Sequence, residues 1–222
     1  MLNWDNITSI FLDMDGTLLD LHYDNYFWLD YVPVRYSQKY DVPIEETKQI
    51  LYSRYRSIEG TLEWYCVDYW SRELGLDITA LKHEIAHKIE IHPNVKTFLT
   101  AARKANKRLV LVTNAHGSSV DLKLAKTGLR AYFDRIVISH DLGEPKESHE
   151  FWPLLQDQEP HEPSKSLLVD DNLSVLRSAA DYGIGNLLAI KRPDTQGAEK
   201  DTGEFKALED FEEILPIEQA VW

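Results

Sequence analysis

Five short apolar runs, spaced by segments of helical periodicity, constrain this chain more than any other feature of its sequence. Ile10-Phe11-Leu12, Arg108 to Thr113 (RLVLVT), Arg135 to Ser139 (RIVIS), Ser166 to Asp170 (SLLVD) and Asn186 to Ile190 (NLLAI) are dense in Val, Ile and Leu without polar alternation. Strands of that composition are covered on both faces. Between them, Val95 to Lys104 places Val95, Phe98, Leu99 and Ala102 at helical spacing, and Ser118 to Thr127 does so with Val120, Leu122, Leu124 and Ala125 before Gly128. A third helix is expected after a cap at Asn172 or Ser174, with Leu173, Leu176, Ala179 and Ala180 recurring before Gly183. Alternating strand and helix predict an α/β fold, a doubly wound parallel sheet. A closing amphipathic helix is expected over Thr202 to Ile214, where Phe205, Leu208, Phe211 and Ile214 recur every three residues.

The alternation fails between Leu19 and Ile91, where aromatic and charged residues are helix-compatible and no strand is evident. This stretch is predicted to be an inserted α-helical lobe (residues 19–91), and residues 1–18 and 92–222 the α/β core. Most of the large rings fall within the lobe, among them Trp28, Tyr31, Tyr52, Tyr55, Trp64, Tyr65, Tyr69 and Trp70. They are expected mainly to pack its own core, with a few left to face a planar substrate.

The 222 residues carry 24 basic and 37 acidic side chains, a net charge of −13, which opposes the phosphate-neutralising surface that a nucleic-acid polymer requires. One cysteine, Cys66, excludes an intramolecular disulfide and a CxxC site. No apolar stretch approaches the roughly 20 residues that span a bilayer. The amino terminus has no Lys or Arg before Arg35 and carries Asp5, Asp13 and Asp15, unlike a secretory signal. A cytoplasmic protein without a membrane partner is expected. His83 and His87 are expected at the surface, not on a metal.

Chemistry concentrates where strands end. Asp13 and Asp15 follow the first strand two residues apart, and an extended backbone would send both side chains to one side. The strand ending at Asp170 closes with a second acidic pair, Asp170 and Asp171. Ligands of open α/β sheets collect at the carboxyl ends of strands. If those two strands are neighbours, four acids converge. At about 4 Å and an effective dielectric near 20, each like-charge pair costs about 4 kcal/mol, so a positive group must sit among them. Hard carboxylate oxygens without neighbouring sulfur or imidazole favour magnesium.

The segment Asp13-Met14-Asp15-Gly16-Thr17 matches the DxDGT signature of the haloacid-dehalogenase-like phosphatases. Thr113-Asn114 closes the second strand as that family's phosphate-binding Ser/Thr does, Lys146 follows Gly143-Glu144-Pro145, and Asp170-Asp171 supplies the acidic pair. All four occur in the family's order, and the inserted lobe resembles the family's cap. Leu18 to Leu21, Asp24 to Trp28, Leu62 to Leu76 and Gly143 to Lys146 further resemble the bacterial GMP/IMP nucleotidase branch.

The resemblance implies a small-molecule phosphate ester as substrate, a purine mononucleotide, with magnesium as cofactor. It makes Asp13 the nucleophile that forms an aspartyl phosphate, and Asp15 the acid and then the base. The metal would be bound by Asp13, the main-chain carbonyl of Asp15 and Asp171, with Asp170 acting through water. Thr113, with Asn114, would hold the phosphoryl group and Lys146 would offset charge on phosphate and Asp13. Gly16 would let the backbone approach the phosphate, and the helix near Gly117 would add N–H groups. His116 lies close enough in sequence to reach substrate. The same residues also suit a phosphosugar phosphatase or phosphomutase, and a silent acidic binding module is the non-enzymatic alternative. A receiver domain places its acids differently, and a dehalogenase has no need of Asp15.

Overall fold

The structure, a computed structural model, describes residues 2–217. Six parallel strands form one sheet: β1 (Ser9–Leu12), β2 (Arg108–Thr113), β3 (Arg135–Ile138), β4 (Ser166–Asp170), β5 (Asn186–Ile190) and β6 (Lys206–Leu208). Their order is β3-β2-β1-β4-β5-β6, so β1 lies between β2 and β4. Five of the six occupy the predicted apolar runs, with Ser139 turning out of β3 to begin a short helix.

Eleven α-helical segments are found among the described residues. Six lie between β1 and Glu90: α1 (His22–Tyr26), α2 (Val32–Tyr40), α3 (Ile44–Ile58), α4 (Leu62–Tyr65), α5 (Val67–Leu74) and α6 (Ile78–Glu84). A π-helical turn, Phe27–Tyr31, joins the first two. The others are α7 (Val95–Lys104), α8 (Gly117–Thr127), α9 (Ser139–Leu142), α10 (Phe151–Gln158) and α11 (Leu173–Tyr182). None is long and apolar enough to cross a membrane.

Alternate strand residues face opposite sides, and each side has its own core. Ile10, Leu12, Leu109, Leu111, Leu167 and Val169 pack with α7, α8 and the helices before β2. Phe11, Val110, Val112 and Leu168 pack with Trp152 of α10 and Val175 and Leu176 of α11. The chain leaves the sheet at Leu18–Asp20 and returns at Glu90–His92. These crossings run side by side, with Asp20 N donating to Glu90 O at 3.0 Å and His92 N to Leu18 O at 3.0 Å.

The helix expected over Thr202 to Ile214 does not form. Leu208 and Phe211 join the first core, whereas Phe205 packs against the second, so the three-residue repeat does not lie on one face. Instead the chain adds β6 to the sheet edge, and Asp210 caps a separate 3-10 turn over Phe211–Ile214. The face of α8 also differs from expectation: Ser119, Val120, Lys123, Leu124 and Thr127 are buried, while Ala125 is exposed. In α11 the buried set includes Val175 and Ser178, and Asn172 is the capping residue, accepting from Ser174 N at 2.9 Å.

Candidate active site

β1 ends beside β4, and this adjacency brings the two acidic pairs together. Asp13 N extends the ladder to Val169 O at 3.1 Å, which places the Asp13 carboxylate next to that of Asp170. The backbone then leaves the extended conformation. Gly16 takes a φ of +80°, its N–H donates to Leu19 O at 2.7 Å, and Leu18 and Leu19 both donate to Met14 O. Asp15 therefore stands in a turn, and its carboxylate does not share a partner with Asp13.

Asp13 and Asp15 each have their own buried lysine. Lys146 Nζ donates to Asp13 Oδ1 and Asp170 Oδ2, both at 2.6 Å, and to Val112 O at 3.2 Å. Lys123 Nζ makes an ion pair with Asp15 at 2.7 Å and donates to Asp24 at 2.7 Å. Asp24 also accepts from Lys82 Nζ at 3.2 Å, and the Lys82 ammonium lies 4.5 Å from the Phe27 ring centroid. A chain of alternating charge thus runs from α6 through α1 to α8 and ends on Asp15. The positive groups demanded by the converging acids are lysines, whatever else binds. Neither Lys82 nor Lys123 was expected to take part. The available signal was positional: Lys82 falls in the apolar stripe Ile78, Leu81, Ile85, and Lys123 in the stripe Val120, Leu124, Thr127.

Burial moves these groups, and their partners decide how far. Desolvation lifts Asp13 to about 6, with Lys146 opposing it and Asp170 adding to it. Asp15 is lifted to about 6 by burial, against the pull of Lys123 and with the push of Asp24. Asp170 is likewise raised by burial to about 6, and Asp171 is raised for the same reason. Burial alone would raise Asp24, yet Lys123 and Lys82 outweigh it and hold the carboxyl below its ordinary value. Lys146 is held charged because Asp13 and Asp170 overcome its desolvation.

Asp13, Asp170 and Asp171 each present a carboxylate oxygen within 4.8 Å of the others. This all-oxygen set, with three raised carboxyls, fits a hard divalent cation. Asp170 already accepts from Lys146 at Oδ2 and from Asn172 N at Oδ1, 2.9 Å, whereas Asp171 accepts at Oδ2 from the exposed Lys200 at 3.0 Å. A Cβ on Gly16 would lie 2.9 Å from Asp171 Cγ and 3.1 Å from Pro193 Cβ. The glycine thus makes room for the Asp171 carboxylate.

Thr113 Oγ1 accepts from Ala115 N at 3.0 Å, which leaves its hydrogen to donate. Asn114 is committed at both ends: Oδ1 accepts from Lys146 N at 2.9 Å and Nδ2 donates to Glu147 Oε2 at 2.8 Å. It therefore orients the Lys146 loop and still lines the cavity, with a second Nδ2 hydrogen to offer. Glu147, another unforeseen member, also accepts from Asn172 Nδ2 at 3.0 Å and from the Tyr65 hydroxyl at 2.6 Å. Tyr65 thereby joins α4 to the loops beyond β2 and β4.

All these groups front one cavity of about 730 Å³. Asp13, Asp15, Thr113, Lys146 and Asp171 line it together with His116 and the rings of Trp28, Tyr55 and Trp64. The rings also contact one another edge to face, Tyr55 lying 5.7 Å from both Trp28 and Trp64. His83 and His87 are exposed, as expected.

The sequence profile of the haloacid dehalogenase-like hydrolases matches residues 10–189, and the chain belongs to that family. Among its relatives, the GMP/IMP nucleotidase YrfG of Escherichia coli (strain K12) is 36% identical over 213 residues, covering 96% of each protein. The protein of the same name in Shigella flexneri is equally similar. The fold is shared with the HAD phosphatase of Thermococcus onnurineus, at a TM-score of 0.79 and 22% identity over 94% of this chain and 96% of that one. It is also shared with the L-2-haloacid dehalogenase of Xanthobacter autotrophicus, at 0.63 and 14% over 94% and 96%.

Proposed function

We propose that this hydrolase is a magnesium-dependent 5′-nucleotidase that cleaves purine nucleoside monophosphates, GMP and IMP among them. The carrying observation is the single cavity that joins Asp13, Asp15, Thr113 and Lys146 to the aromatic wall of residues 19–91, the segment assigned here as the cap over a core of residues 1–18 and 92–222. The similarity to the GMP/IMP nucleotidase of Escherichia coli supports the choice of substrate, and that bacterial relative, with the lone Cys66, supports a cytoplasmic setting.

In the first step an Asp13 carboxylate oxygen attacks phosphorus while the bond from phosphorus to the ribose 5′ oxygen breaks. Asp15 gives its proton to that oxygen, so the nucleoside leaves neutral and Asp15 is left ionised. In the second step Asp15 takes a proton from the water that attacks the aspartyl phosphate, releasing phosphate and restoring Asp13. A carboxyl at about 6 has both forms accessible near neutrality, as an acid that later serves as a base requires. Lys146 balances Asp13 and faces the incoming phosphoryl charge, and the Thr113 hydroxyl donates to a phosphoryl oxygen. Asp13, Asp171 and the Asp15 carbonyl would hold magnesium, with Asp170 beside them, and the ion would neutralise charge on the phosphoryl oxygens.

Phosphate release from GMP, IMP, AMP and a set of sugar phosphates, with magnesium and with chelator, tests the assignment. GMP and IMP are expected to lead, and only with metal. A lead of about tenfold or more in kcat/KM for a sugar phosphate would overturn the substrate, and equal rates in chelator would overturn the metal.

A further inference from the structure

We infer that Arg56 and Glu59, at the end of α3, read the six-membered edge of a 6-oxopurine base; the inference rests on the nucleotidase assignment. Both residues line the cavity that also holds Asp13, Trp28, Tyr55 and Trp64. The two carry opposite charge three residues apart, and no ion pair within 4.0 Å joins them among the described residues. Arg56 Nε donates to Tyr52 O at 3.2 Å, and its terminal nitrogens have no partner among the described residues. The Glu59 carboxylate has none either. A donor fork and an acceptor pair, three residues apart in the chain, therefore line the same cavity as the Trp28, Tyr55 and Trp64 rings.

That juxtaposition matches one class of base. Hypoxanthine and guanine present an acceptor, O6, next to a donor, N1–H. Arginine donates to O6, carboxylate accepts from N1–H, and the rings supply a stacking face. Adenine reverses both signs at this edge, with a 6-amino donor beside an acceptor N1. It would set donor against donor at Arg56 and lone pair against carboxylate at Glu59. Guanine adds a 2-amino donor beside N1–H, within reach of the same carboxylate, whereas O6 is common to both oxopurines. Glu59 should therefore distinguish GMP from IMP, and Arg56 should not.

The test measures kcat/KM for GMP, IMP and AMP in the full-length protein and in Glu59→Gln and Arg56→Met, each relative to the same variant's rate with p-nitrophenyl phosphate. That baseless ester cancels changes in folding or chemistry. Arg56→Met is expected to lower GMP and IMP together by about tenfold or more against AMP, the scale of one good base-edge contact. Glu59→Gln is expected to lower GMP more than IMP and to narrow the gap to AMP. Unchanged ratios in both variants would overturn the inference, as would a wild type that hydrolyses AMP as well as GMP while still preferring nucleotides. A wild type that prefers sugar phosphates would instead overturn the nucleotidase assignment, and the base reading with it.

Discussion

Replacing Asp13 with Asn should end turnover and at the same time stabilise the metal-free protein at neutral pH. Burial, opposed by Lys146 and assisted by Asp170, raises this carboxyl from 3.8 to about 6. A raised carboxyl holds its proton more tightly in the fold than in the unfolded chain. Its contribution is therefore complete below the unfolded value and is lost as pH climbs through the folded one. Two pKa units at about 1.4 kcal/mol each give a loss of about 3 kcal/mol by neutrality, of which about 1 kcal/mol has already gone by pH 4.5. Asparagine resembles the neutral acid at every pH and escapes this loss. Lys146 gives up one partner but keeps Asp170 at 2.6 Å, which trims the gain. The expected net is about 1–3 kcal/mol, or a Tm higher by about 2–12 °C for a chain of this size. Thermal melts followed by tryptophan fluorescence, in chelator, at about pH 4.5 and about pH 7.5 measure it. A variant that melts below wild type at the higher pH, or a gap that does not widen between the two, would refute the electrostatic reasoning.

Lys123→Met removes the cation between Asp15 and Asp24 and should cost about 3 kcal/mol or more in denaturant unfolding, because it strands buried carboxylates; an unmoved midpoint would contradict this. Gly16→Ala should weaken magnesium binding by about tenfold or more in calorimetry, since its Cβ lies 2.9 Å from Asp171 Cγ and the residue keeps a φ of +80° that costs about 1–3 kcal/mol. Trp28→Ala and Trp64→Ala should each raise KM for nucleotides by about tenfold with little change in kcat, the scale of one lost base stack. Equal KM values would leave those rings with packing alone.

The sheet was legible because its strands are buried on both faces, and a run such as Leu109 to Val112 has no other stable setting. The last strand was not: Lys206–Leu208 is an edge strand of three residues with two exposed, too short and too polar to declare itself. Asp13, Lys146 and the Asp170-Asp171 pair were readable because each sits where a strand ends or in an ordered motif. Lys82, Lys123 and Glu147 were not, because their meaning is tertiary. A lysine in a helix is ordinarily solvated, and only the packing of α6 and α8 beside α1 turns these two inward. Asn114 shows the converse, since the motif points to it while only the structure shows its amide bonded at each end to the Lys146–Glu147 segment.

The nucleophile can be tested directly by mixing enzyme, magnesium and GMP, quenching in acid within the first turnovers, and mapping the peptides by mass spectrometry. A phosphoryl group is predicted on the peptide bearing Asp13, absent from Asp13→Asn and accumulating in an Asp15→Asn variant challenged with p-nitrophenyl phosphate, whose leaving group needs no proton. A phosphoryl group on any other residue, or turnover of GMP by Asp13→Asn at the wild-type rate, would contradict the assignment.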